Sequence, residues 1–241
     1  MWAIDNISKH PATILRGALF LLAVGLGYYL KGFFFAYSDQ LVILTFQHLY
    51  ILALALPIAV LLGFSTGLFI HKHPSSANTI LAGSAILMTI PSIALFGLII
   101  PLLAPFGVGV GVTPAVIALV IYSLLPIIRN TYVGLNEVPT GVLRAAEGLG
   151  MSPIQLLLKV KLPLALPSIL TGVRIAVVLG VGIAAIAAYI GGGGLGRWIF
   201  GGIRRTYPEM MLAGAFSVSL LALLLDYLIA LFQRRFESYP Q

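Results

Sequence analysis

Uncharged apolar stretches of about twenty residues recur along this chain, separated by short polar segments, and no other feature constrains its fold as much. Such a stretch is what an α-helix needs to cross ~30 Å of hydrocarbon. Only 9% of the 241 residues are charged and 60% are hydrophobic. A soluble domain carries about a quarter charged residues, so charges this sparse cannot cover a water-facing core, and the surplus apolar surface must face lipid. The chain therefore reads as an all-α integral membrane protein with about six transmembrane helices. The expected spans are 13–34, 45–70 with a kink at Pro57, 78–103 broken at Pro91 and Pro101, 114–128, 168–190, and 210–232, ended by Arg234 and Arg235. Lys9 and Arg16 precede the first apolar run, which is long enough to span and is expected to stay as an uncleaved helix.

The formal net charge of +7 comes from basic residues scattered between the spans rather than gathered on one face, which argues against nucleic acid. They read as topology signals. With both termini in the cytoplasm, Lys9, Arg16, Lys72, Arg129, Arg144, Lys159, Lys161, Arg174, Arg234 and Arg235 lie inside, and Lys31, Arg197, Arg204 and Arg205 outside. The last three share a short piece with Trp198 and Phe200 that is expected to lie along the membrane surface. There is no cysteine, hence no disulfide or thiolate metal site. Of His10, His48, His71 and His73, the last two flank Lys72 and read as a solvated loop; no metal site is expected. No GxxxxGK[ST] phosphate loop occurs, and the longest polar segment, near 129–163, is too short for a nucleotide-binding domain. If ATP is used, another chain binds it.

That polar segment is the most informative part of the chain. Residues 140–149 read as a short helix with Leu143, Ala146 and Leu149 on one face, and Gly150 suits the left-handed turn that ends it. Ser152, Pro153 and Gln155 spell an N-cap, a first-turn proline and a capping box for a second helix, which Pro163 and Pro167 are expected to end. From spacing alone this is an ordered helical elbow, with small residues Ala145 and Ala146 that let another protein approach.

The run Arg144-Ala145-Ala146-Glu147-Gly148-Leu149-Gly150, followed by Leu162-Pro163, resembles the loop motif of ABC importer permeases: Glu-Ala-Ala, three residues, Gly, then a Leu-Pro pair. Arg144 stands where the family has glutamate; the nearest acid is Glu147. Four further segments, 89–94, 125–134, 162–167 and 190–196, resemble permeases for quaternary amines such as glycine betaine, carnitine and choline, and the likeness spans roughly residues 45–235. The resemblance implies a type I importer permease fold and a core at 41–235. A helix and outer loop at 1–40 would precede this core, a tail at 236–241 would follow it, and no binding domain would be fused. It also implies that the loop at 137–163 is a coupling helix docking on an ATPase, with Arg144, Ala145, Ala146, Glu147, Gly150, Met151 and Ser152 at the contact. ATP and Mg would sit on that ATPase, with no cofactor on this chain. The implied partners are two ATPase subunits, a second permease chain, an extracytoplasmic solute-binding protein and the lipid of a bacterial or archaeal cytoplasmic membrane.

Within the membrane, Asp226 is the one acid deep in a span, where an unpaired charge costs ~3 kcal/mol or more. Arg174 lies at similar depth on the fifth span and is its expected structural partner; a transport role for Asp226, or snorkelling to the interface, remains open. Gly63 and Gly67 have the spacing for close helix packing, and Gly191–Gly194 reads as a bend at the outer surface. Tyr122 and Tyr189 are candidates to hold a quaternary ammonium by cation–π attraction, with Thr89, Ser92 and Asn130 as further candidates along a substrate path. Packing or interface anchoring is the alternative for both tyrosines. Two other functional readings remain: a permease for another small solute such as an amino acid, and an ion-coupled secondary transporter. The second lacks the intramembrane acids and repeats expected of it. No His, Glu or Ser constellation supports a membrane enzyme.

Overall fold

The computed structural model describes residues 11–236; the readings on Lys9, His10 and the tail 237–241 fall outside them, as does the side chain of Arg16. The described residues form helices α1 (Pro11–Tyr29), α2 (Lys31–Ala36), α3 (Ser38–Lys72), α4 (Ala77–Thr89), α5 (Ser92–Leu103), α6 (Val112–Asn136), α7 (Thr140–Gly148), α8 (Pro153–Leu156), α9 (Leu162–Ala187), α10 (Gly196–Arg205) and α11 (Pro208–Arg234), with no strand among them. Four stretches are long and apolar enough to cross a membrane: α3, α6, the continuous run Pro153–Ile190, and α11. The pair Pro74–Thr89 and Ser92–Phe106, bent by 98°, makes a fifth if counted as one span. α1 adds a shorter apolar stretch, Phe20–Tyr29, and ends at Tyr29 rather than continuing to residue 34, so the described residues carry four or five full-length spans where about six were expected.

The bend falls at Pro91, which has no N–H to continue the helix. Chain direction shows that the bent pair crosses. Gly63 meets Ile127 and Gly67 meets Thr131, so α3 and α6 run parallel. The pair joining them must then carry the chain from one end of the bundle to the other. Pro57 and Pro126, in contrast, are absorbed within α3 and α6 without a break.

Pro163 and Pro167 do not end the second elbow helix. Backbone runs helically from Pro153 to Ile190, with a π-helical turn at Leu157–Lys161. A wider turn just ahead of a proline relieves the clash of its ring with the preceding carbonyls, so the helix continues through Pro163. The elbow therefore feeds directly into α9.

α6 sits at the centre, with half of its apolar window buried, against 11% for α11. Its neighbours approach it through glycine. A Cβ on Gly67 would lie 2.6 Å from Thr131 Cβ, and one on Gly63 2.8 Å from Ile127 Cβ. On the other flank, a Cβ on Gly172 would lie 2.6 Å from the Pro126 carbonyl oxygen, and one on Gly134 2.7 Å from Ser168 Cβ. These contacts place α9 antiparallel to α6. The layer between them is thin: Ala59, Ile127 and Ala176 are fully buried.

Replacing Gly67 with Val should lower the melting temperature of the detergent-purified protein by an amount equivalent to ~1–3 kcal/mol of overpacking. Gly83→Ala on α4, where nothing lies within 4 Å of the new carbon, should change it little. A parental melting temperature for Gly67→Val would show that α3 and α6 are not in backbone contact.

Candidate coupling loop and intramembrane polar sites

α7, its turn and α8 form a self-contained elbow at the end of the bundle where α3 and α6 finish. The Gly150 N–H donates to the Glu147 carbonyl at 2.9 Å and the Met151 N–H to the Ala146 carbonyl at 3.3 Å. This is the paired bonding of a Schellman turn, and Gly150 takes the left-handed conformation it needs, φ +77°. Ser152 then caps α8: its Oγ accepts from the Gln155 N–H at 3.3 Å, and Gln155 Oε1 accepts from the Ser152 N–H at 2.9 Å. Both helix ends are thus satisfied within the elbow itself, and α7 makes its main contacts with α8.

Ala146 is buried in the elbow and Met151 half-buried, while Arg144, Ala145, Glu147, Gly150 and Ser152 are exposed. Leu149 does not share the inner face with Leu143 and Ala146. It is 80% exposed at the tip, and Ile154 across the turn is 69% exposed. The Schellman turn ends α7 at Gly148, so Leu149 leaves the helix before its face would turn inward.

Deeper in the bundle, Arg174 on α9 grips Asp226 on α11 with two hydrogen bonds, from Nε to Oδ1 and from Nη2 to Oδ2 at 2.6 Å. One helical turn pair nearer the loop end, Gln233 Nε2 on α11 donates to Thr171 Oγ1 at 3.1 Å and to the Pro167 carbonyl at 3.3 Å on α9. Both contacts obey one antiparallel register.

The candidates for a substrate path divide. Tyr122 is buried and its hydroxyl donates to the Ile90 carbonyl, which the break at Pro91 leaves without a helical partner. Thr89, exposed, and Ser92, half-buried, flank that break, and Thr89 Oγ1 donates to the Ile86 carbonyl at 2.7 Å. These three residues come together. Asn130 lies two turns along α6, its amide donating to the Pro126 carbonyl at 2.8 Å. Tyr189 stands apart at the far end, 64% exposed and 5.5 Å from the Phe200 ring.

At that far end the glycine loop packs on α3. The Gly194 N–H donates to Gln47 Oε1 at 3.0 Å, and a Cβ on Gly193 would lie 2.6 Å from the same oxygen. His48 beside it is fully buried, with Nε2 3.1 Å from the Val181 carbonyl on α9. Trp198 is not at a lipid interface as expected. It is 1% exposed, 5.1 Å from the Phe33 ring, and its Nε1 donates to Gln40 at 3.4 Å. The reason is close approach of α10 to α11: Gly202 would place a Cβ 2.5 Å from the Met211 nitrogen and Gly214 one 2.7 Å from the Ile199 nitrogen. Trp198 and the glycines of α10 are thereby buried in protein. Gln47 and His48 were invisible as partners of the loop in sequence, 147 residues away.

Residues 55–238 match the family described as the inner membrane component of binding-protein-dependent transport systems. The chain belongs to that family. It is 48% identical over 192 residues to the osmoprotectant import permease protein OsmW of Salmonella typhimurium, covering 80% of this chain and 89% of that one. It is 38% identical over 198 residues to the choline transport system permease protein OpuBB of Bacillus subtilis, covering 82% and 89%. Among solved structures, an inward-facing MetNI methionine ABC transporter superposes with a TM-score of 0.74 at 24% identity, over 83% of this chain and 98% of that one, a likeness of fold. The permease is an integral membrane component of an ABC importer, with a transport role.

The ion pair gives the permease a stability test. Arg174→Gln and Asp226→Asn should each lower the melting temperature of the purified complex, and the double variant should sit above the worse single, with a coupling of ~0.5–3 kcal/mol. Additive losses would mean the two charges do not support each other.

Proposed function

We propose that the permease moves glycine betaine or a related quaternary-amine osmoprotectant into the cell, driven by ATP that a separate subunit binds with Mg. The observation that carries the mechanism is the elbow: internally capped, held off the bundle, and presenting Leu149 and Ile154 at its tip. Two exposed apolar side chains on a rigid knob suit an apolar cleft in another protein. An ATPase docked there would push on α7 and α8, and the uninterrupted helix from Pro153 to Ile190 would carry the displacement into the membrane. Two permease chains would enclose the path and alternate between two access states, and an extracytoplasmic binding protein would deliver solute to the face carrying α10 and the glycine loop. Arg144, Ala145 and Glu147 flank the tip and would add polar and close-packed contacts. The substrate class rests on the names of the similar permeases. Of the two candidate tyrosines, Tyr189 is the one with an open ring face, since Tyr122 is buried.

In cells lacking other osmoprotectant importers, uptake of radiolabelled glycine betaine should require this chain. Gly150→Val should abolish that uptake without blocking assembly, because a β-branched residue cannot hold φ +77° without strain. Normal uptake by an assembled Gly150→Val complex would contradict the role given to the elbow.

We propose that both termini lie in the cytoplasm. Cysteines at Ser75 and Ser152 should then react with a membrane-impermeant thiol reagent only from the cytoplasmic side, and one at Gly107 only from outside; the sequence has no native cysteine to confuse the result. Labelling of position 107 from the cytoplasm would invert the orientation.

A further inference from the structure

His71 lies not in a solvated loop but in the last turn of α3, and its ring touches the chain on both sides of the elbow. Nδ1 is 2.8 Å from Oδ1 of Asn136, the last residue of α6 before the elbow begins. Nε2 is 3.1 Å from Nζ of Lys161, the last residue of the π-helical turn where the elbow ends. One protonation state satisfies both contacts. The ammonium of Lys161 can only donate, so Nε2 must be the acceptor; the single ring proton is then on Nδ1 and is donated to Asn136. The three residues lie on three elements, and they meet where the elbow enters and leaves the bundle.

We propose that His71 is a positioning residue for coupling: it clamps the two roots of the elbow to α3, so that displacement of the elbow is passed to α3 as well as to α9. This rests on the elbow being the point where the ATPase acts.

The four-carbon stem of lysine lets the Lys161 charge follow His71 over small movements. The clamp also depends on the charge of the ring. A second proton on Nε2 removes the acceptor and sets imidazolium against the Lys161 ammonium. The charged groups facing the ring are Lys161 from the turn and Lys72 from its own helix, both cationic. α6 offers the neutral Asn136, and Glu137 beyond it forms no ion pair among the described residues. Among the described residues no acid is in place to hold a charged ring. The link is therefore intact when His71 is neutral and is lost as the medium on that side becomes acidic.

The experiment uses the assembled complex of permease, ATPase and binding protein in proteoliposomes. It reads glycine betaine taken up per ATP hydrolysed, with the elbow side held at a series of pH values between about 5.5 and 8. His71→Phe should lower that ratio by about tenfold while ATP hydrolysis persists, as expected for loss of a hydrogen bond to a charged group. Lys161→Met, which leaves the His71–Asn136 bond in place, should lower it in the same direction. His71→Gln can donate to Asn136 and accept from Lys161, yet cannot gain a proton in this range. It should keep the parental ratio at pH 8 and hold it at pH 5.5, where the parent falls. A merely structural histidine would give no such difference between His71→Gln and the parent. Gly150→Val separates the two claims. If it leaves the ratio unchanged, the elbow is not the point of coupling. If it uncouples while His71→Phe and Lys161→Met both keep the parental ratio, the clamp alone is overturned. A parent and His71→Gln with the same pH profile would also overturn it.

Discussion

Close approach at glycine holds this protein's central three helices together, and the other features depend on it. Lipid tails are as apolar as leucine, so helices in a membrane gain little from hiding apolar side chains from one another. Close packing must do the work instead. Gly63 and Gly67 let α3 lie on α6, while Gly134 and Gly172 do the same between α6 and α9. With so little side-chain bulk between them, these helices have few ways to slide. They also run in fixed directions, which puts the ends of α3 and α6 and the start of α9 together beside the elbow.

Around this unit the few polar groups act as pins. Tyr122 caps the Ile90 carbonyl freed by the break at Pro91. Arg174 and Asp226, with Gln233 and Thr171 nearer the end, hold α11 to α9 in one register. Gln47 receives the glycine-loop amide. Each contact joins elements far apart in sequence and satisfies a group that hydrocarbon would leave unpaired at a cost of several kcal/mol. The ends of the bundle differ in kind. One is a buried lattice of glycine, Trp198 and His48, and the other projects a capped elbow with apolar residues at its tip.

What local chemistry decides was legible in the sequence. The spans follow from apolar run length. The left-handed turn at Gly150 and the capping box at Ser152 and Gln155 follow from residue type at fixed offsets. The close approach at Gly63 and Gly67 follows from spacing. What tertiary packing decides was not. Pro163 and Pro167 look like helix ends, but the π-helical turn at Leu157–Lys161 lets the helix pass through them. Trp198 has the composition of an interfacial anchor, but glycines on α10 and α11 draw it inside. Leu149 has the periodicity of a buried position and instead tops the elbow. His71 gives no local sign of its partners, which lie 65 and 90 residues away.

The proposed role makes the bundle a lever worked from outside the membrane by another subunit, not a machine driven by an ion moving through it. The most direct measurement is uptake of labelled glycine betaine into proteoliposomes in which the energy source is chosen by the experimenter. The complex with its ATPase should accumulate solute when ATP is supplied on the elbow side with the binding protein opposite. Vanadate should stop it, and ionophores that collapse proton and sodium gradients should leave it unchanged. Accumulation by the permease alone under an imposed ion gradient, without ATPase or ATP, would contradict the account.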